Sequence, residues 1–121
     1  MSQQIAKRYF EAVATRDVAK IAQTFHPDIV SIDPLAGTIR GKDAVVAQFK
    51  GLYEQMPDAL FEPKTFSQDG RATEWMWTAS LPVGRLKIPG VDIMDFADGK
   101  IRQIRFYYDP SPLKEIAASA A

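Results

Sequence analysis

The hydrophobic period of this chain changes once, near Ala59, and that change restricts the fold more than any other feature. Before it, apolar residues recur at helical spacing: Ile5, Tyr9, Phe10 and Val13 in residues 3 to 16, then Val18, Ile21, Ala22 and Phe25, then Val45, Phe49, Leu52 and Met56 in about 42–56. After it, four strand-like stretches follow, at about 59–68, 71–82, 85–97 and 100–109. Asp69-Gly70 and Asp98-Gly99 are strong hairpin turns, and Val83-Gly84 is a weaker one. Asp17 is placed to cap the second helix, and His26-Pro27-Asp28 is expected to end it. Ile29 to Asp33 read as a short strand, and Pro34 to Gly37 as a turn. Helices first, then a meander of long antiparallel strands, predict an α+β domain. A strongly curved sheet wrapped around the three N-terminal helices would form a cone enclosing an apolar pocket. Pro89-Gly90 is expected to interrupt the third long strand, where sheets bend or bulge.

With 121 residues the chain is one domain, 1–121, in which 110–121 form an alanine-rich C-terminal tail. Apolar residues make up 46%, enough for a core without staples, and there is no cysteine for disulfides, thiolate catalysis or thiolate metal sites. Fifteen basic residues balance fifteen acidic ones, which argues against a nucleic-acid or polybasic membrane surface. No apolar run reaches the roughly 20 residues of a membrane span. Met1-Ser2-Gln3-Gln4 does not lead into a signal peptide's apolar core, so a cytoplasmic protein is expected.

Three segments each place one ionisable oxygen in apolar surroundings. Asp33 ends an apolar strand before Pro34, and also suits a turn cap. Asp92 shares a strand face with Met94 and Phe96, an expensive place for a carboxylate unless it is neutral or paired. An edge-strand aspartate paired with a lysine or arginine is the alternative, and Asp95 fits it better. Tyr9 lies on the apolar side of the first helix, as a core tyrosine with one satisfied hydroxyl would. His26, the only histidine, falls at an expected helix end, where it would favour the helix dipole; a multi-histidine metal site is excluded. No Ser-His-Asp arrangement, P-loop or dinucleotide fingerprint is present. In the last strand Ile104, Phe106 and Tyr108 share one face, read as core or pocket lining, while Gln103, Arg105, Tyr107 and Asp109 share the other. The pattern does not assign faces to Trp75 and Trp77.

Arg8-Tyr9-Phe10-Glu11-Ala12-Val13, Asp17 to Ile21, Asp33-Pro34, Arg40-Gly41 with the third helix, Val91-Asp92, Asp98-Gly99-Lys100-Ile101 and the strand from Arg102 to Asp109 together resemble bacterial ketosteroid isomerases. More broadly they resemble the SnoaL-like superfamily, which shares the cone-shaped fold of nuclear transport factor two. The resemblance implies that Asp33 is a general base and that Tyr9 and a protonated Asp92 are oxyanion-hole donors. It implies a proton shift beside a ketone with no cofactor, a small hydrophobic carbonyl or phenolic ligand, and a homodimer through the outer sheet face. Phe49, Tyr53, Met94, Phe106 and Tyr108 are expected to line the ligand site. Phe49 replaces a second tyrosine common in these isomerases, and Tyr53 lies one turn further along. A SnoaL-like polyketide cyclase and a non-catalytic small-molecule-binding dimer are the other readings.

Overall fold

The computed structural model describes residues 2–82 and 84–114. The expected order of elements is present: helices α1 (Ser2–Thr15) and α2 (Val18–Ala22), strands β1 (Phe25–Asp33) and β2 (Gly37–Arg40), helix α3 (Lys42–Gln55), then β3 (Leu60–Phe66), β4 (Ala72–Ser80), β5 (Arg85–Ala97) and β6 (Lys100–Tyr108). All six strands form one sheet in the order β2-β1-β6-β5-β4-β3. β1 and β6 run parallel, and the other neighbours are antiparallel. The helices cover the concave face, with α1 packed on β3 and α3 on β1. The sheet is curved but not closed. Val83 and residues 115–121, part of the expected weak turn and most of the expected tail, lie outside the described residues.

Local chemistry accounts for the boundaries. Asp17 caps α2, its carboxylate accepting from the backbone N–H of Ala19 and Lys20. Arg16 closes α1 in a left-handed conformation, φ 60°, held there as its guanidinium donates to the carbonyls of Ala59 (2.8 Å) and Asp58 (3.1 Å). Asp98 and Gly99 both have positive φ (54° and 73°), which a two-residue hairpin matched to strand twist requires.

The core forms where the apolar stripes of α1 and α3 meet the inward positions of the sheet. Ala6, Ile21, Ile29, Val45, Met94, Ile101 and Ile104 are fully buried. Aromatic rings join the layers: Tyr9 of α1 meets Phe49 of α3 edge-on at 6.3 Å and Phe25 of β1 at 6.1 Å. Along β4, Thr73, Trp75, Trp77 and Ala79 alternate inward, which settles the facing of both tryptophans.

Three expectations about local structure are corrected. His26-Pro27-Asp28 does not end a helix. β1 already begins at Phe25, and its register on β6 slips between Phe25 and Val30, so the proline lies in an irregular part of the ladder. His26 therefore serves no helix dipole; its Nδ1 accepts from the Asp28 backbone N–H (3.0 Å), and its Nε2 bonds the Asp98 carboxylate (3.3 Å). Pro89-Gly90 does not interrupt β5, which runs unbroken from Arg85 to Ala97. Pro89 lies one residue beyond the last pair with β6, Gly90 opposite Tyr108, so on that flank there is no ladder to break. Strand β2, four residues long, had no expected counterpart.

Candidate active site

The concave side of the sheet and α3 enclose a cavity of about 670 Å³. Its walls come from α1 (Tyr9, Phe10), the end of β1 (Asp33), α3 (Gln48, Phe49, Leu52, Gln55), and the inward positions of β3 to β6 (Phe61, Trp75, Trp77, Asp92, Phe106, Tyr108). Leu35, Ala36 and Leu113 bring the β1–β2 turn and the segment after β6 to the same space, and Leu35 remains half exposed.

Asp92 lies on this wall with only 2% of its surface exposed. Trp75 donates its indole N–H to Asp92 Oδ1 at 2.8 Å. Burial holds the carboxyl well above the usual aspartate range; the Trp75 bond opposes this, and the charge of Asp33 reinforces it. Burial thus favours the neutral form of Asp92, in which it can donate. The register explains the pairing. Trp75 stands directly opposite Gly90 on the neighbouring strand, and a Cβ at Gly90 would collide with the indole ring. The glycine makes room for the tryptophan that bonds the carboxyl two residues further along β5.

Asp33 faces the cavity and also caps the turn that follows it. Its Oδ1 accepts from the backbone N–H of Leu35 (2.8 Å) and Ala36 (3.0 Å). The Tyr108 hydroxyl donates to both carboxylate oxygens, at 2.9 and 3.1 Å. Asp33 therefore acts wholly as an acceptor, and Oδ2 is its less engaged oxygen. Burial, then the charge and hydrogen bond of Asp33, push the Tyr108 phenol up. Tyr9 is 2% exposed, and its hydroxyl has no hydrogen-bond partner among the described residues. Burial first, then the charge of Asp92, holds the Tyr9 phenol protonated well above its ordinary value.

The sequence profile of the SnoaL-like domain matches residues 6–104. The chain belongs to the SnoaL-like family. The search of curated proteins gives no match. Solved structures agree on the fold. Bal32a, from a soil-derived mobile gene cassette, has a TM-score of 0.85 at 20% identity, covering 95% of each chain. TerC, co-crystallised with polyporic acid, has a TM-score of 0.82 at 17% identity, covering 95% of this chain and 96% of its own. A protein from Jannaschia sp. CCS1, named by inference as a SnoaL-like polyketide cyclase, has a TM-score of 0.80 at 19% identity, covering 95% and 90%.

In this SnoaL-like domain the residues singled out from the sequence divide into two groups. Asp33, Tyr9, Asp92, Phe49, Phe106 and Tyr108 all line the one cavity. Met94 and Tyr53 do not: Met94 is wholly buried core, and the Tyr53 hydroxyl donates to the Val13 carbonyl at 3.3 Å. Burial raises the Tyr53 phenol to about 12. That hydroxyl is turned to the end of α1 and does not restore the group absent at Phe49. Asp95, the better fit to an aspartate paired with a cation, bonds the Arg71 guanidinium at 2.8 Å, although β5 is an interior strand and not an edge.

Trp75 as partner of Asp92, Tyr108 as partner of Asp33, and Gln48 were not singled out for these contacts. A signal existed for the first. A glycine inside a strand marks close approach by a neighbour, and the neighbour in register is a tryptophan. The Tyr108–Asp33 contact spans 75 residues and has no local trace. Among the described residues no lysine, arginine or histidine lines the cavity. Among the described residues no group of three metal-ligating side chains occurs.

Proposed function

We propose that this SnoaL-like domain is a cofactor-independent isomerase of the ketosteroid-isomerase type, acting on a neutral, hydrophobic carbonyl compound. One observation carries the reading: two carboxyl groups in contrasting environments share a cavity with an unpartnered phenol. Asp92 is desolvated, which favours its neutral form, while Asp33 accepts from three donors at the cavity's edge. Such pairs divide acid and base roles. Asp33 takes a proton from the carbon beside the ketone, and the C–H electron pair moves into the enolate. Tyr9 and Asp92 donate hydrogen bonds to the developing oxyanion. Asp33 then returns the same proton to a different carbon, so the substrate is isomerised with no net oxidation. The absence of cations from the lining, among the described residues, favours neutral substrates over carboxylates or phosphates, which the Asp33 carboxylate would repel.

The family supports a second reading in the same cavity, in which the enolate attacks an internal carbonyl and the domain acts as a polyketide cyclase. TerC's co-crystallisation with polyporic acid supports a small-molecule site within this fold. We read the protein as a cytoplasmic homodimer paired through the outer sheet face. Among the described residues no helix is long and apolar enough to cross a membrane.

The test is a panel of β,γ-unsaturated ketones and polyketide-like carbonyl compounds, followed for double-bond migration, ring closure and α-proton exchange in D₂O, with Asp33→Asn as control. Double-bond migration lost in the control supports the isomerase. Ring closure supports the cyclase. Binding without exchange on any compound leaves a carrier or binding module.

A further inference from the structure

The inward face of β1 has a polar residue where its pattern calls for an apolar one. Ile29 and Ser31 follow Phe25 on that face, and Ser31 is wholly buried. A buried hydroxyl is costly unless bonded. Ser31 Oγ donates to Gln48 Oε1 at 3.1 Å. Gln48 is likewise an exception on its helix. It follows Val45 by three residues, and it opens a stripe with Leu52 and Gln55 that faces the cavity rather than the core. The two polar residues, one from β1 and one from α3, satisfy each other and depart together from their local patterns. Such paired departures concentrate at functional sites.

The bond holds the amide beside β1. In the orientation shown, Oε1 accepts from Ser31 and Nε2 is turned to the cavity, with no acceptor for it among the described residues. Ser31 and Asp33 share the inner face of β1, roughly 7 Å apart along the strand. The Gln48 amide therefore stands on the base's side of the cavity. Tyr9 and Asp92, from α1 and β5, are the donors assigned to the carbonyl.

We propose that Gln48, held by Ser31, is a specificity-determining residue that donates to a second, neutral oxygen of the ligand, one beyond the oxygen bound by Tyr9 and Asp92. The inference rests on the oxyanion-hole reading given above. It narrows the substrate class to carbonyl or phenolic compounds carrying a further keto, hydroxyl or ether oxygen. A carboxylate in that place would face Asp33, with no cation among the described lining residues to offset it.

Ligand binding tests this, with the fluorescence of Trp75 and Trp77 on the cavity wall as the signal. The probes are 2-naphthol, with one oxygen, and the 1,3-, 1,6- and 2,7-naphthalenediols, with two. In the wild type at least one diol should bind roughly three- to tenfold more tightly than 2-naphthol, the range of a neutral hydrogen bond. In Gln48→Leu and in Gln48→Met the ratio of the two dissociation constants should fall to near one. Taking the ratio cancels any general change in packing, and the second variant covers poor folding of the first. Ser31→Ala, which frees the amide to turn, should reduce the ratio partway. A diol preference that survives both Gln48 variants, or a wild type that prefers no diol, overturns the proposal. Asp92→Ala separates this from the underlying reading. If that variant weakens 2-naphthol while no diol is preferred, the oxyanion hole stands and the Gln48 role falls. If Asp92→Ala leaves 2-naphthol binding intact, the oxyanion reading falls, and the Gln48 role falls with it.

Discussion

At the scale of single residues the chemistry depends on two aspartates treated differently by their surroundings. Burial raises the Asp92 carboxyl above its unfolded value of about 3.9, so the folded chain binds that proton more tightly. The stabilisation from this group is fully present below the unfolded pKa and is lost as pH rises through the folded one. Urea unfolding of the wild type and of Asp92→Asn across this range should therefore show the variant gaining on the wild type as pH increases. Direct carbon-detected NMR titration of the Asp92 carboxyl should show an elevated midpoint, and an ordinary one would remove its donor role. Asp92→Ala, with no donor, should bind phenolic ligands more weakly than Asp92→Asn. Asp33→Asn tests the base. The amide oxygen still accepts from Leu35 and Ala36, so the turn should persist, yet an amide cannot take up the proton. A loss of about 10²–10⁴ in turnover is expected, with an unchanged far-UV spectrum. Should full activity remain, the base lies elsewhere. Asp109 is a poor replacement, because it is exposed and its carboxylate caps the Ser111 N–H.

At the scale of elements, β4 and β5 form the working pair. Register sets Trp75 against Gly90 and Thr73 against Asp92, so the indole spans the ladder to reach the carboxyl. Gly90→Ala should drive a methyl group into that ring and displace it. The expected cost is about 1–3 kcal/mol, read as a lower melting temperature, together with a change in tryptophan emission as the Trp75–Asp92 bond is strained. A variant as stable as the wild type, with unaltered emission, would show that the ring has room to move. β1 plays the matching part on the other side. Its inner face carries Ile29 for the core, then Ser31 and Asp33 for the cavity, so one strand passes from packing to chemistry within five residues.

At the scale of the whole molecule, the sheet has a served face and a free one. The concave face holds the helices and the cavity. The outer face presents Val91 opposite Tyr107 and Ile93 opposite Arg105, with Tyr107 52% exposed. A mixed face of this kind suits pairing with a second copy, for which a stable contact of about 1,200 Å² or more in total is expected. Light scattering at micromolar concentration should give twice the mass of the chain. Tyr107→Glu, which adds a charge to each side of a two-fold interface, should shift the mass toward one copy. A single-chain mass for the wild type would remove the dimer.

Much of this was legible in the chain itself. The helical and alternating periods, Asp17 as a cap and the two Asp-Gly turns determined the elements, because backbone and side-chain geometry act over a few residues. The same periods put Tyr9, Asp92 and Phe106 on inward faces. Where the pattern misled, a proline was read as a stop: Pro27 and Pro89 both lie within strands, at places where a neighbouring ladder is irregular or absent. Only the tertiary structure decided the partners. The indole on Asp92, the phenol on Asp33 and the Ser31 hydroxyl on Gln48 join elements 17 to 75 residues apart. It also set the Tyr53 hydroxyl on the Val13 carbonyl, near the end of α1. Such contacts depend on strand order and register, which arise from packing the whole sheet around its helices and leave no local imprint on the residues that meet.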